Sequence, residues 1–325
     1  MTEASFRMRS KTKTPVITVG DFYSRHAELL DLKLVGPALG FGRIIQEPTI
    51  NRPGLALSGF FEYFAEKRIQ VIGSAEISYL RSLPRALMRE RFRQLCQKPI
   101  PCLIFARGMT IPKTLLEVAH GEGISIMITN SITMKFINSA TIVLEVDFSP
   151  TTVEYGSMVD IMGIGTLIRG SSGVGKSECV LGLIERGYSL VADDVTRFRA
   201  IDGKELIGTA PELTKHHMEL RGLGIINIAT VFGVGSIRDE KRLDIIVTLK
   251  DWQDLDEVDR IGLEQEYDEI LDVPVPHVTI PVRPGRDLGR LIEVAALDLK
   301  LKSMGHNSAL AFNQRLLTRM QHGDG

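Results

Sequence analysis

Residues 170–177 read Gly-Ser-Ser-Gly-Val-Gly-Lys-Ser, which is the spacing G-x-x-x-x-G-K-[ST]. These residue types together suit the holding of phosphate. Glycines let backbone N–H groups turn inward without side-chain clash, making an anion nest at a helix N-terminus. A lysine at the seventh position supplies a mobile cation for β- and γ-phosphates, and a hydroxyl at the eighth suits Mg²⁺. Gly170, Ser171, Ser172, Gly173, Val174, Gly175, Lys176 and Ser177 are therefore the candidate nucleotide-binding loop, with Ser177 also a candidate metal ligand. A glycine-rich turn could match by chance. Here, however, an apolar strand is predicted before the loop (165–169) and a helix after it (176–186), closed by Gly187 at a left-handed cap position.

Asp193 and Asp194 follow the loop lysine by 17 and 18 residues, at the end of an apolar run that reads as a strand over 188–194. The intervening helix is short, so this strand is expected close to the P-loop strand. Its end would then face the phosphates. A carboxylate there could hold Mg²⁺ through water or accept a proton from an attacking hydroxyl. The ordinary alternative is an Asx turn closing the strand.

Residues 219–227, Glu-Leu-Arg-Gly-Leu-Gly-Ile-Ile-Asn, alternate glycine with apolar residues beside an acid and an arginine. Such a segment could bring backbone close to a ligand, or it could be a plain loop. His216 and His217 beside Glu219 lack the spacing of a tetrahedral set, so zinc is not expected. Asp259-Arg260 and the run Pro-Val-Arg-Pro-Gly-Arg at 281–286 add arginines that could neutralise transition-state charge or simply face solvent. Trp252 reads as packing.

Positioning these residues requires a scaffold. Strands are expected at 69–73, 101–106 and 124–128, with helices at 87–95 and 113–120 between them, a βαβ rhythm that implies a mostly parallel sheet. A further strand is expected at 142–146, before a turn at Ser149-Pro150 that divides the chain into domains 1–150 and 151–325. In the second domain, strands are expected at 243–249 and 278–282, and a terminal amphipathic helix at 308–320. The first 14 residues read as a frayed leader with no secretory character.

Composition narrows the class. Lys+Arg number 39 against 40 Asp+Glu, a net charge of -1, which offers no electrostatic case for nucleic acid or an anionic membrane. No apolar run approaches the ~18 residues of a membrane span. Three cysteines, Cys96, Cys102 and Cys179, include no CxxC pair, which fits a reduced, cytoplasmic protein with buried thiols. The expectation is an α/β enzyme of two domains.

Taken together, the segments resemble the HPr kinase/phosphorylase family over most of the chain. The resemblance rests on Asn51-Arg52-Pro53-Gly54, Arg68-Ile69-Gln70-Val71, Glu76 with Tyr79-Leu80, and Phe105-Ala106-Arg107-Gly108. Further on it rests on the P-loop with Glu178, Ala192-Asp193-Asp194, residues 219–227, Phe232-Gly233-Val234-Gly235, Asp259-Arg260-Ile261-Gly262, residues 281–286, and Glu293-Val294-Ala295-Ala296.

The resemblance implies phosphate transfer from ATP, or from pyrophosphate, to a serine of HPr, the carrier of the sugar phosphotransferase system. It also implies the reverse phosphorolysis, in which phosphate attacks phosphoserine. It assigns Lys176 and Asp194 to catalysis, Asp194 as proton acceptor, with Ser177 and Glu219 as Mg²⁺ ligands and Arg260 as a catalytic arginine. Residues 218–227 match a segment used in both directions, and 281–286 one tied to dephosphorylation. The implied assembly is a homohexamer, and the implied second domain is a P-loop kinase core like that of phosphoenolpyruvate carboxykinase. The chain departs from the family pattern at one catalytic position. The family carries a histidine 21 residues before the loop lysine; here Tyr155 stands there, followed by Gly156. A phenol stays neutral where an imidazole titrates, so the reverse reaction is the one affected. Rival readings are a small-molecule kinase on the same core and a nucleotide- or pyrophosphate-sensing module without catalysis.

Overall fold

The computed structural model describes residues 16–254 and 265–322. The leader read at 1–14 and the pair Asp259-Arg260 lie outside the described residues. The chain divides into two compact units, one of residues 14–149 and one that runs from Pro150.

In the first unit five strands lie in the order Leu32–Val35, Ile126–Thr129, Leu103–Phe105, Ile69–Ile72, Ile50–Asn51. The last four are parallel and Leu32–Val35 runs antiparallel at the edge. Alternation along each strand builds two cores, one on each face. Ile72, Leu103, Phe105 and Ile126 point to the face covered by helices Arg85–Cys96 and Lys113–Gly121. Ile69, Val71, Ile104 and Met127 point to the opposite face, where Phe22 and Phe136 are fully buried. Each fully buried side chain of this size stabilises the fold by roughly 1.5–3 kcal/mol.

The strand expected at 142–146 is a correction. These residues belong to helix Thr133–Phe148. Phe136, Ala140 and Leu144 bury one stripe at a four-residue spacing, so the branched run at 142–144 continues a helical period already under way. Ser149 and Pro150 end the helix, where proline has no N–H to offer.

In the second unit a six-stranded mixed sheet has the order Ser189–Ala192, Ser157–Ile161, Ile164–Gly170, Ile245–Asp251, Val273–Val282, Glu266–Ile270. Beside it lies an antiparallel sheet ordered Glu240–Arg242, Glu205–Thr209, Val195–Ile201, Thr151–Tyr155. The acid-bearing strand lies close to the P-loop strand, one strand removed from it. Ser157–Ile161 lies between them, antiparallel to both. The two outer strands therefore still run in the same direction and end at the same edge.

At that edge two strands cross between the two sheets side by side, in opposite chain directions. Thr151–Tyr155 continues through Gly156 into Ser157–Ile161, and Ser189–Ala192 continues through Asp193-Asp194 into Val195–Ile201. The crossings are tied by the Gly156 N–H, which donates to the Asp194 carbonyl at 2.8 Å. Asp194 makes the bend with φ +54°, a left-handed conformation that aspartate tolerates better than most residues. The tail helix spans Ser308–His322.

Candidate active site

The loop of residues 170–177 joins strand Ile164–Gly170 to helix Lys176–Glu185. Gly173 (φ +84°) and Gly175 (φ +99°) take left-handed backbone that a side chain would strain, and Gly175 caps the helix. The helix N-terminus thus opens onto the loop with its N–H groups and the positive end of its dipole. Lys176 Nζ donates to the carbonyls of Gly170 at 2.9 Å and Ser171 at 3.0 Å, so the cation rests against its own loop.

A cavity of about 260 Å³ opens over this loop. Lys176, Ser177, Asp194 and Glu219 all line it, together with Glu178 and Arg221. Glu219 reaches it from hairpin His217–Leu220/Gly224–Asn227, where strand alternation buries Met218 and Leu220 and turns Glu219 outward. The segment read from sequence as either a ligand-approaching stretch or a plain loop is therefore a hairpin whose strand presents an acid to the loop. Arg221 extends from its turn and donates to Ser172 Oγ at 3.1 Å. In the sequence it stood only as the arginine beside the acid of this segment; in the fold it contacts the P-loop.

Asp193 and Asp194 divide their roles. Asp194 is exposed to the cavity. Asp193 is buried and accepts from Ser157 Oγ at 2.8 Å and from the Glu219 N–H at 3.2 Å. Burial pushes its carboxyl above the ordinary value. The hydrogen bond from Ser157 pulls the other way without cancelling this, and the Asp194 charge adds to the rise. Nothing in the sequence singled out Ser157; its only signal was a hydroxyl residue opening a mostly apolar strand.

Tyr155 does not line the cavity. It is 77% exposed at the end of its strand, opposite Val195. Trp252 is not buried packing as expected: it is half exposed, and the Arg283 guanidinium lies 4.9 Å from its ring centroid. Neither Arg283 nor Arg286 lines the cavity. All three cysteines are free and buried, and burial raises the Cys102 and Cys179 thiols to about 12, which leaves them inert.

The donors suit Mg²⁺. A hydroxyl and carboxylates are hard oxygen ligands, and Mg²⁺ commonly keeps waters and binds through one or two carboxylates plus substrate phosphate. Among the described residues no three His, Cys, Asp or Glu side chains converge as a metal cage.

A glycine nest at a helix N-terminus, a loop lysine and an acid where a second strand ends at the same edge define the class of P-loop proteins that handle phosphoryl groups. Residues 17–144 match the model of the HPr Serine kinase N terminus, and residues 146–316 match that of the HPr Serine kinase C-terminal domain. A relative from Geobacter sulfurreducens named HPr kinase/phosphorylase is 45% identical over 90% of this chain and 92% of its own. HPr kinase/phosphorylase 1 of Oceanobacillus iheyensis is 43% identical over 92% of this chain and 98% of its own. The chain belongs to the HPr kinase/phosphorylase family. The solved Hpr(Ser) kinase/phosphatase of Coxiella burnetii is 31% identical and covers 50% of this chain and 98% of its own, with a TM-score of 0.45. No helix among the described residues is long and apolar enough to cross a membrane.

Proposed function

We propose that this enzyme phosphorylates a serine of an HPr-like carrier protein, with ATP and Mg²⁺, and that the cavity over residues 170–177 is where transfer occurs. The observation that carries this is the convergence of Lys176, Ser177, Asp194 and Glu219 on one cavity at the P-loop. The relatives' names support the choice of carrier, and the residues lining the cavity support the chemistry.

In the forward direction the serine Oγ bonds to the γ-phosphorus while the bond to the β–γ bridging oxygen breaks. The electron pair leaves with the β-phosphate. Asp194 accepts the hydroxyl proton, as a general base at a strand end beside the phosphates. Lys176 turns from its loop carbonyls to the β- and γ-oxygens, and the loop N–H groups hold the charge that spreads over the transferring group. Ser177 and Glu219 would hold the Mg²⁺, which neutralises phosphate charge. Arg221 adds a cation from the hairpin. In reverse, protonated Asp194 gives its proton to the seryl oxygen as phosphate attacks phosphoserine, and pyrophosphate leaves. A role for Arg260, assembly as a homohexamer and a cytoplasmic place belong to the same reading and rest on the family resemblance.

Incubation with purified HPr and γ-labelled ATP tests it. Label on a serine of HPr, lost in Lys176→Ala, is expected. Nucleotide binding without transfer would replace this reading with that of a sensing module, and transfer to a small molecule alone with that of a small-molecule kinase.

A further inference from the structure

Ser157 lies wholly buried where its strand enters the six-stranded sheet, and its hydroxyl makes two hydrogen bonds. It donates to Asp193 Oδ1 at 2.8 Å and accepts the backbone N–H of Asp194 at 3.2 Å. The second oxygen of Asp193 accepts the N–H of Glu219 at 3.2 Å, so the carboxylate is fixed from two sides and cannot turn away from Ser157. Neither Ser157 nor Asp193 lines the cavity, whereas Asp194 and Glu219 both do.

Asp194 needs such support. Its left-handed backbone, φ +54°, is one that aspartate tolerates but that still costs energy relative to the ordinary regions, so neighbouring contacts must hold it in place. Two bonds on its own backbone do so: its N–H to Ser157, and its carbonyl from the Gly156 N–H at 2.8 Å. The direction of its carboxylate follows from that bend.

Resting on the reading of Asp194 as proton acceptor, we propose that Ser157 is a positioning residue for phosphoryl transfer: it aims Asp194, with Asp193 as its anchor. Removing the hydroxyl takes the Ser157 acceptor from the Asp194 N–H and the Ser157 donor from one Asp193 oxygen, and the bend loosens. A general base displaced by about 1 Å loses on the order of 10²-fold in rate. Nucleotide binding, which depends on the loop and not on this bend, is unaffected.

The test is a double-mutant cycle on the full chain, with HPr phosphorylation as readout. Ser157→Ala should lower kcat about 10- to 100-fold and leave KM for Mg-ATP within about twofold, the pattern of an interaction made in the transition state. Ser157→Thr, which keeps the hydroxyl, should restore most of the loss. In an Asp194→Asn background Ser157→Ala should cost less than about threefold, because the base it aims is already gone. Asp193→Asn keeps one acceptor oxygen for its two donors and should lower kcat at least as far as Ser157→Ala, which carries the cycle should the alanine variant be insoluble. Wild-type kcat in Ser157→Ala, or an equal loss in both backgrounds, would overturn the proposal. If Asp194→Asn itself keeps wild-type turnover, the base reading falls and takes this role with it. If Asp194→Asn is impaired and Ser157→Ala is not, only the positioning role falls.

Discussion

Tyr155 stands opposite Val195 across an antiparallel pair, and the next residues toward the cavity edge, Gly156 and Asp194, are joined by a 2.8 Å hydrogen bond. The phenol is thus one ladder position from the candidate base, exposed, on the strand that crosses between the two sheets.

This placement predicts an asymmetry between directions. On the proposed reading, the forward reaction needs only Asp194 to accept a proton. In reverse, anionic phosphate must approach anionic phosphoserine beside a carboxylate. A histidine at this position, with an ordinary pKa of about 6.5, could carry positive charge there; a phenol has no cationic form to offer. Pyrophosphate release from phosphoserine-HPr in excess phosphate should be slower than the kinase reaction by on the order of tenfold or more, and Tyr155→His should raise it. Equal forward and reverse rates in the wild type, unchanged by histidine, would show that another group supplies the charge, with His217 and Arg221 the candidates.

The base itself is tested by Asp194→Asn. The amide keeps the shape of the side chain and leaves the backbone bonds of the bend in place, but it takes no proton. Kinase turnover should fall by on the order of 10²–10⁴. Calorimetric titration with Mg-ATP should show affinity largely kept. Turnover near the wild-type value would remove Asp194 from the chemistry.

Arg169, immediately before the P-loop, lies between two carboxylates: it donates to Glu154 at 2.8 Å and also pairs with Asp268. Burial pushes both acids up. At Asp268 the Arg169 charge and hydrogen bond outweigh burial and hold the carboxyl below its ordinary value; at Glu154 burial wins and the carboxyl stays raised. The signs therefore differ. Asp268 contributes stability that is present above its unfolded value and lost as pH falls through its lower folded value. Glu154 works in the opposite sense, since the fold gains as pH falls through its raised value. Arg169→Leu strips both acids of their cation, so both charged forms become harder to keep. The variant should lose about 1–2 kcal/mol at pH 7, discounted for partial exposure. The deficit should shrink toward pH 4 as the acids protonate. Urea melts at the two pH values decide it; a deficit independent of pH would mean that lost packing, not charge, is the cause.

Much of the site was written locally. Residues 170–177 carry their own instructions: the glycines permit the left-handed turns, and the lysine opens the helix. Eight contiguous residues are enough because a helix N-terminus binds anions through neighbouring N–H groups. Helices Arg85–Cys96 and Lys113–Gly121 were legible for the same reason, since their apolar period is contained in the element. The misread at 142–146 shows the limit, because a short branched run looks the same in a strand and at the end of a long helix.

What brought the acids to the loop was not local. Ser157 meets Asp194 across 37 residues of sequence, Glu219 meets Asp193 across 26, and Arg221 meets Ser172 across 49. The apolar run before Asp193 announced a strand, but only sheet pairing could insert Ser157–Ile161 between that strand and the P-loop strand, and only then did a buried serine become the support of a neighbouring aspartate. Strand order is decided by which edges pair and which faces are buried together. A residue's type and its immediate neighbours do not encode that, so the sequence by itself determined the phosphate loop and the kinds of groups that could serve it, and the tertiary structure decided which of them face it.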